Sequence, residues 1–384
     1  MVAHNSYKAL TTDADFKAGA GKGVAVAGDA IRLGTSTAAR SYAGTTYDTA
    51  MWTSKWVQAG QDFTELIPSW NITTPAGTWV EVWVRGYTTT GKTSTMKTMA
   101  LWSSRDNGFQ RTSSGSQRDA YAHVDTDTFV ANSEVKFKAW QIRVQLMRKH
   151  GTTATPIVRT LGAVASQLPA TVPATSKKLL GAKLLPVPKY SQMIHRGQYA
   201  RYGGGGEAWC SPTSLAMILG YYKKLPAKAT YTWVSKSYAD PWVDHIARLT
   251  YDYGYDGTGN WPFNAAIGNT YLPDAFVTRL SSLREAERFI AAGIPLEASI
   301  SFGRGGLDGA PISATDGHLV VIVGFDAAGN PIVNDPAAPN DATVQRTYKR
   351  AQFEKAWLGK SGGMVYVIHD AAHPLPPRNT NTNW

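Results

Sequence analysis

At 384 residues, with 43% hydrophobic side chains and 13 tryptophans, the chain is long enough for two or three domains with cores of their own. Its formal net charge of +11 is spread out, the longest basic runs being pairs such as Lys177-Lys178 and Lys223-Lys224; this favours a diffusely basic secreted protein over a nucleic-acid binder. A single cysteine excludes an internal disulfide, and no apolar run reaches membrane-spanning length.

The start, Met1-Val2-Ala3-His4, has neither a charged n-region nor an apolar h-region, so no signal peptide is visible. That leaves a cytoplasmic protein or a mature secreted chain with a replaced start methionine. The polar, Trp- and Thr-rich N-terminal half favours the secreted one. Residues 1–165 carry short β-type segments in place of helical periodicity. Trp79 to Arg85 and Gln141 to Leu146 alternate apolar with polar, and Phe63 to Ile67 and Met99 to Trp102 are shorter candidates. Gly, Asn, Asp and Thr clusters separate them, which predicts an antiparallel β-sandwich. Residues 166–185, with Pro169, Pro173 and Lys177-Lys178, read as a linker.

A second domain, 186–370, follows. Cys210 is preceded by Gly203 to Gly206 and followed by Leu215, Ile218, Leu219 and Tyr222 at helical spacing. Ser211, Pro212 and Thr213 supply helix-start chemistry, which puts Cys210 at or just before a helix N-terminus. The unpaired N–H groups and dipole there favour thiolate over thiol. A buried structural cysteine is the competing reading, against which the glycine-rich approach argues. Tyr251 to Asn264 reads as an aromatic loop, either a wall for substrate or a surface loop packed on the core. Leu283 to Gly293 is a helix, Ile294 to Ile300 a strand, and Gly303 to Gly309 a flexible candidate rim or lid.

Leu319 to Phe325 is a continuous apolar run that reads as a buried strand. Ala327 to Asn330 forms a turn, and Ile332-Val333 begins the return strand. His318 at the head of this hairpin and Asp335 at its tail therefore share one end of the sheet. An aspartate there can accept from one imidazole nitrogen while the other faces a thiol, the nucleophile, base and orienter arrangement of triad chemistry. Asn334 neighbours Asp335, but alternation lets only one of the two face His318. His195 and His245 read as structural histidines, Asp316 as a turn residue. No His or Cys spacing fits zinc, and neither a metal nor a nucleotide cofactor is expected. The Pro-, Asn- and Thr-rich tail, 371–384, is expected to be disordered.

Tyr190-Ser191-Gln192, Trp209-Cys210-Ser211-Pro212, Gly317-His318-Leu319 and Asn334-Asp335-Pro336 together resemble the C39-like peptidase family of papain-fold cysteine proteases, its secreted actinobacterial branch especially. Ile67-Pro68-Ser69-Trp70-Asn71 and Thr74 to Trp79 are similar to the jelly-roll-like domain that accompanies these peptidases. The resemblance implies an α+β papain-like peptidase domain behind the sandwich, with Cys210 as nucleophile, His318 as base and Asp335 as orienter. It makes Gln192 the side-chain donor of the oxyanion hole. Two features depart from the pattern. Gln192 stands 18 residues before Cys210, so the nearer Gln198 competes for the role. Ser211 replaces a common glycine, with a narrower pocket as the expectation.

The function implied is hydrolysis of peptide or amide bonds through a thioester, on a peptide or protein substrate. The same residues would serve a transpeptidase, peptide cyclase or amidase. A non-catalytic cell-surface binding protein is the alternative outside enzymology, and a bacteriocin-leader peptidase is disfavoured by the lack of a membrane segment. Cell-wall polymer is the partner that the aromatic and basic residues of the N-terminal half would suit; a purely structural partner domain is the other reading of that half.

Overall fold

The computed structural model describes residues 4–106, 108–378 and 382–384. Two units emerge from the chain. One holds Ser6–Gln167 with Asp252–Tyr255, the other Leu168–Tyr251 and Asp256–Trp384.

Alternation in the first unit becomes two seven-stranded antiparallel sheets. In one, Glu65–Thr73 and Ile157–Gln167 lie side by side at the centre. In the other, Thr78–Thr88 and Phe137–Lys149 do, flanked by Lys97–Trp102 and Thr45–Thr53. Register places Val80 opposite Leu146, Val82 opposite Val144 and Val84 opposite Ile142. All six are fully buried. Successive residues on a strand face opposite ways, so Glu81, Trp83, Arg85 and Tyr87 turn to the other side of that sheet. The aromatic loop divides between the units: Asp252 Oδ1 accepts from the main-chain N–H groups of Ser113, Gly254 and Tyr255, all in the first unit.

The second unit is built on one further seven-stranded sheet. Its order is Asp274–Arg279, Met364–His369, Leu296–Phe302, Thr315–Phe325, Pro331–Asn334 and Gln345–Thr347. The helix Cys210–Tyr221 packs against Thr315–Phe325 and against the helices Pro241–Thr250 and Trp261–Gly268. Ser211 to Leu219 are buried on every side, so this helix is a core element and not an amphipathic surface one. The helix Leu283–Ala291 ends where Gly293 takes φ +80°, and the strand Leu296–Phe302 follows.

Two expectations need correction. The stretch read as a linker, 166–185, is tied down along much of its length. The strand Ile157–Gln167 extends into it, and Lys183–Leu184 pairs with Thr315–Phe325. Between them Ser176 gives its N–H and hydroxyl to Glu354 at 2.7 and 2.6 Å, and Leu179 N–H donates to Glu287 at 2.7 Å. Both glutamates are buried, and the passing segment donates to each of them. The tail read as disordered is also packed in its last described residues. Trp384 is 1% exposed, its ring edge-on to Phe289 at 5.0 Å, and its indole N–H donates to the carbonyl of Pro376 at 2.9 Å. Asn383 donates to Glu285 and to the carbonyl of Arg279, both at 2.9 Å. Composition hid this because one terminal tryptophan supplies apolar area enough to order its neighbours.

Replacing Trp384 by alanine is expected to cost the second unit about 3 kcal/mol of stability, the range for deleting a buried tryptophan. Urea unfolding followed by fluorescence measures it. An unchanged midpoint would return the tail to disorder.

Candidate active site

A thiol, an imidazole and a carboxylate meet where the core helix begins. Cys210 is the first residue of its helix, and Trp209, the N-cap, offers no side-chain acceptor to the free N–H groups. Cys210 is half-buried and its thiol is free. The sulfur receives the His318 imidazole and the main-chain N–H groups of Ser211 and Leu319. Burial pushes the thiol up, but these donors outweigh it and hold Cys210 below its ordinary value.

His318 lies on the strand Thr315–Phe325 and is 4% exposed. Its Nε2 is 2.8 Å from Asp335 Oδ1, which leaves Nδ1 as the nitrogen that meets the thiol. Burial works against the imidazolium, yet Asp335 and Cys210 together push His318 up to about 10. Asp335, 1% exposed, follows directly on the return strand Pro331–Asn334. Burial opposes its charge, and the His318 interaction, the Tyr348 hydroxyl and the Ala337 N–H more than compensate, so its carboxyl stays below the ordinary value. Tyr348 donates to Oδ2 at 2.7 Å and Ala337 to Oδ1 at 3.1 Å. The opposite shifts of Cys210 and His318 both favour the charged forms of the pair.

The two glutamines part company. Gln192, 3% exposed, begins a short turn, Gln192–His195, and its carboxamide Nε2 donates to the carbonyl of Glu207 at 2.8 Å. Glu207 lies on the last turn before Cys210, Gly206–Ala208. The intervening segment therefore loops out and returns. Gly206 permits the return, since a Cβ there would stand 2.3 Å from the His195 carbonyl carbon and 2.5 Å from the Gln192 oxygen. Trp209 clamps the loop through its indole N–H to the carbonyl of Tyr202 at 2.6 Å. Gln198 is turned elsewhere. It donates to the carbonyl of Ile194 at 3.1 Å and its oxygen meets His195 Nδ1 at 3.1 Å.

The remaining candidates fall outside the group. Asn334 faces the opposite way, donating to the carbonyl of Pro188 at 3.1 Å. His195 is fully buried beside Asp244, 3.1 Å away. His245 Nδ1 accepts from the Trp233 indole at 3.3 Å. Asp316 is exposed and pairs with Lys360 at 3.1 Å. The loop 303–309 is fastened at its far end, where Asp308 meets Lys349 and the carbonyl of Gly309 accepts from Arg346. Among the described residues no group of three or more His, Cys, Asp or Glu could hold a metal ion, and no helix is long and apolar enough to cross a membrane.

Two neighbours of the site escape sequence reading. Tyr348 sits on an otherwise unmarked segment after Gln345–Thr347. Glu297, on Leu296–Phe302, reads as an ordinary strand glutamate. It is fully buried and its Oε1 accepts from Ser211 Oγ at 2.9 Å, a hydroxyl that also meets Tyr366 at 3.1 Å. Ser211 is thus turned into the core, so its expected narrowing of the pocket gives way to a buried hydrogen-bond chain. Burial drives the Glu297 carboxyl well above its ordinary value and the Cys210 charge drives it further. Both effects favour the neutral carboxyl.

With this geometry in place, the comparisons with known proteins define the class. Residues 184–364 match the Peptidase_C39 like family, and residues 6–166 match the peptidase C39 N-terminal domain. The second region thus matches the C39-like peptidase family, and the region ahead of it matches the N-terminal domain of actinobacterial C39 peptidases. Comparison with curated proteins returns no match.

A buried Glu297 whose carboxyl is pushed up has a pH signature. Unfolded, it ionises near ~4.3, while in the fold burial holds its proton to higher pH, so the native state binds more protons above that value and stability falls as pH rises. The slope from this group approaches ~1.4 kcal/mol per pH unit. Glu297→Gln keeps the acceptor for Ser211 and removes the titration. Its unfolding midpoint should therefore gain on the wild type progressively between pH 5 and pH 7. A gap that does not change with pH would mean that Glu297 is charged in the fold.

Proposed function

We propose that the chain is a cysteine peptidase that cleaves peptide or amide bonds by acyl transfer to Cys210. The observation that carries this reading is the His318 imidazole held by Asp335 on one nitrogen and by the Cys210 thiol on the other. In this reading 186–370 is a papain-like catalytic domain and 1–165 an accessory β-sandwich. The family match supports a peptidase and a peptide or protein substrate. The N-terminal match agrees with secretion.

The Cys210 thiolate attacks the carbonyl carbon of the substrate, and the electron pair moves to the carbonyl oxygen. Two donors meet that oxyanion: the main-chain N–H of Cys210 and the Gln192 carboxamide. One Nε2 hydrogen of Gln192 is committed to Glu207, which fixes the side chain, and the second is free to donate. Collapse expels the amine, which takes the proton from His318 Nδ1, and leaves a thioester on Cys210. His318 then removes a proton from water, which attacks the thioester and regenerates the thiolate. Asp335 keeps Nε2 protonated throughout, and Tyr348 keeps the carboxylate in place.

Thiol labelling tests the pair directly. Alkylation of Cys210 by iodoacetamide should have its midpoint below the ordinary thiol value of ~8.5 and persist well toward acid pH. His318→Ala removes the largest of the interactions that lower it and leaves burial opposed only by the Ser211 and Leu319 N–H groups, so its midpoint should rise. Equal midpoints in the two proteins would sink the nucleophile assignment.

Turnover tests the roles. Incubation with a peptide library and an added amine, followed by mass spectrometry, separates hydrolysis from transfer. Cys210→Ala should abolish both. Asp335→Asn should cost on the order of 10⁴ in rate. Gln192→Ala should cost about 10²–10³, with Gln198→Ala near wild type. A large loss at Gln198 with none at Gln192 would reverse the assignment of the oxyanion donor.

A further inference from the structure

The outward side of the sheet that carries Thr78–Thr88 and Phe137–Lys149 has an unusual charge arrangement. One end of it is closed. Trp79 is buried under Tyr42, Tyr47 and Phe109, stacked on Phe109 at 4.6 Å. Glu81 comes next and is engaged by Arg40. Beyond Glu81 the side opens, and Trp83, Arg85, Tyr87 and Arg143 are all partly exposed.

Register puts Arg143 opposite Trp83 and Gln141 opposite Arg85, so the two arginines are diagonal neighbours on one side of the sheet. Each is anchored through its Nε. Arg85 donates to Gln141 Oε1 at 2.7 Å and Arg143 to Thr53 Oγ1 at 2.9 Å. Gln141 is itself fixed by donating to the carbonyl of Ser54 at 2.7 Å. The Arg85 guanidinium lies 5.1 Å from the Trp56 ring centroid, and Trp56 leans on Tyr87 at 5.4 Å. Anchoring at Nε leaves the Nη edges, the part of a guanidinium that grips an oxyanion bidentately.

Neither arginine has an ion-pair partner among the described residues, and Glu81, the acidic residue on the same side, is taken by Arg40. Burial and the adjacent Arg143 both act against the charge on Arg85. Two fixed cations with nothing between them carry a standing electrostatic cost that a bound anion would relieve. Trp83, beside them, is partly exposed and has no ring partner among the described residues.

We propose that this side of the N-terminal unit binds an acidic polysaccharide, with Arg85 and Arg143 gripping a sugar carboxylate and Trp83 stacking against the sugar ring. Sugar rings have apolar C–H faces that match an aromatic plane, and a planar carboxylate matches the guanidinium edge. A lipid surface fits less well. Among the described residues the exposed large hydrophobics are Val172, Leu179, Leu184 and Tyr255, none of them on a strand of this sheet. A nucleic-acid backbone would call for a continuous track of cations; next to the pair lies Lys138, over the Tyr87 ring at 5.2 Å. The inference is independent of the peptidase reading, and its test uses the chain without its thiol.

The experiment is calorimetric titration of the full-length Cys210→Ala protein with polygalacturonate oligomers, at low salt and in 0.5 M salt. Methyl-esterified polygalacturonate, which keeps the sugar and loses the charge, and duplex DNA are the comparators. The acidic oligomers should bind, more weakly in high salt, and the esterified ones should not. Arg143→Gln and Trp83→Ala should each weaken binding more than tenfold, and Arg143→Lys should fall between Arg143→Gln and the parent. Unfolding midpoints identify any variant that loses its fold, and Trp83→Phe then replaces Trp83→Ala, with retained binding expected. The proposal is overturned by absence of binding to the acidic oligomers, by equal binding of the esterified ones, by indifference to both substitutions, or by tighter binding of DNA through the same residues.

Discussion

Charge on a buried thiol and imidazole is tolerated only when each group has a partner, and the contacts around Cys210 and His318 in the second unit meet that requirement. Taking an ion from water costs several kcal/mol, recovered only by close, well-directed contacts. Asp335 supplies the counter-charge for His318 and is itself saturated by His318, Tyr348 and Ala337. The sulfur has two main-chain N–H donors besides the imidazole. These partners come from the start of a core helix, a pair of adjacent strands and the segment beyond them. The sheet order sets them side by side: Thr315–Phe325 pairs with Pro331–Asn334, which pairs with Gln345–Thr347, one residue short of Tyr348. A slip of one residue in the first pairing would turn Asn334 toward His318 and send Asp335 to the other side.

The same requirement bears on Glu297. A second anion beside the Cys210 sulfur would raise the thiol. Enclosure by the core pushes the Glu297 carboxyl up, toward its neutral form, and its Oε1 accepts from Ser211. The first turn of the Cys210 helix is thus anchored without adding charge to the site. An uncapped helix start does the complementary work, since Trp209 takes none of the N–H groups that face the sulfur. The loop ahead of it succeeds because Gly206 admits the main chain of Gln192–His195 at a distance no side chain would tolerate.

What could be read from the sequence was what depends on local pattern. Alternation located the strands around Val82 and Val144, and helix-start chemistry located Cys210. Hairpin length placed His318 and Asp335 at one end of a sheet. What could not be read depends on long-range pairing. Tyr348 reaches Asp335 only because a third strand joins the hairpin, and nothing in its own neighbourhood marks it. Glu297 sits in a strand whose pattern gives no sign that its carboxyl is enclosed. The tail was misread because a Pro-, Asn- and Thr-rich composition outweighed the single tryptophan that anchors it, and the linker because its fastening lies in main-chain donors that carry no sequence signal.

The two units also treat charge in opposite ways. Around Cys210 and His318 the fold supplies each charged form with internal partners. On the outward side of the Thr78–Thr88 sheet it fixes two cations by their Nε groups and leaves their outer edges unpaired. The difference has a physical basis. A reacting group must be held in one protonation state by its surroundings, and only close internal partners do that. A recognising group must keep its charge available, and anchoring at Nε lets an arginine be rigid and unpaired together, where a lysine has a single charged atom to both tether and present. The net charge of +11 is therefore not a uniform coating. At Arg350 it is spent inside the fold, on Glu287 and the carbonyl of Ser176. At Arg85 and Arg143 it is held ready on the surface.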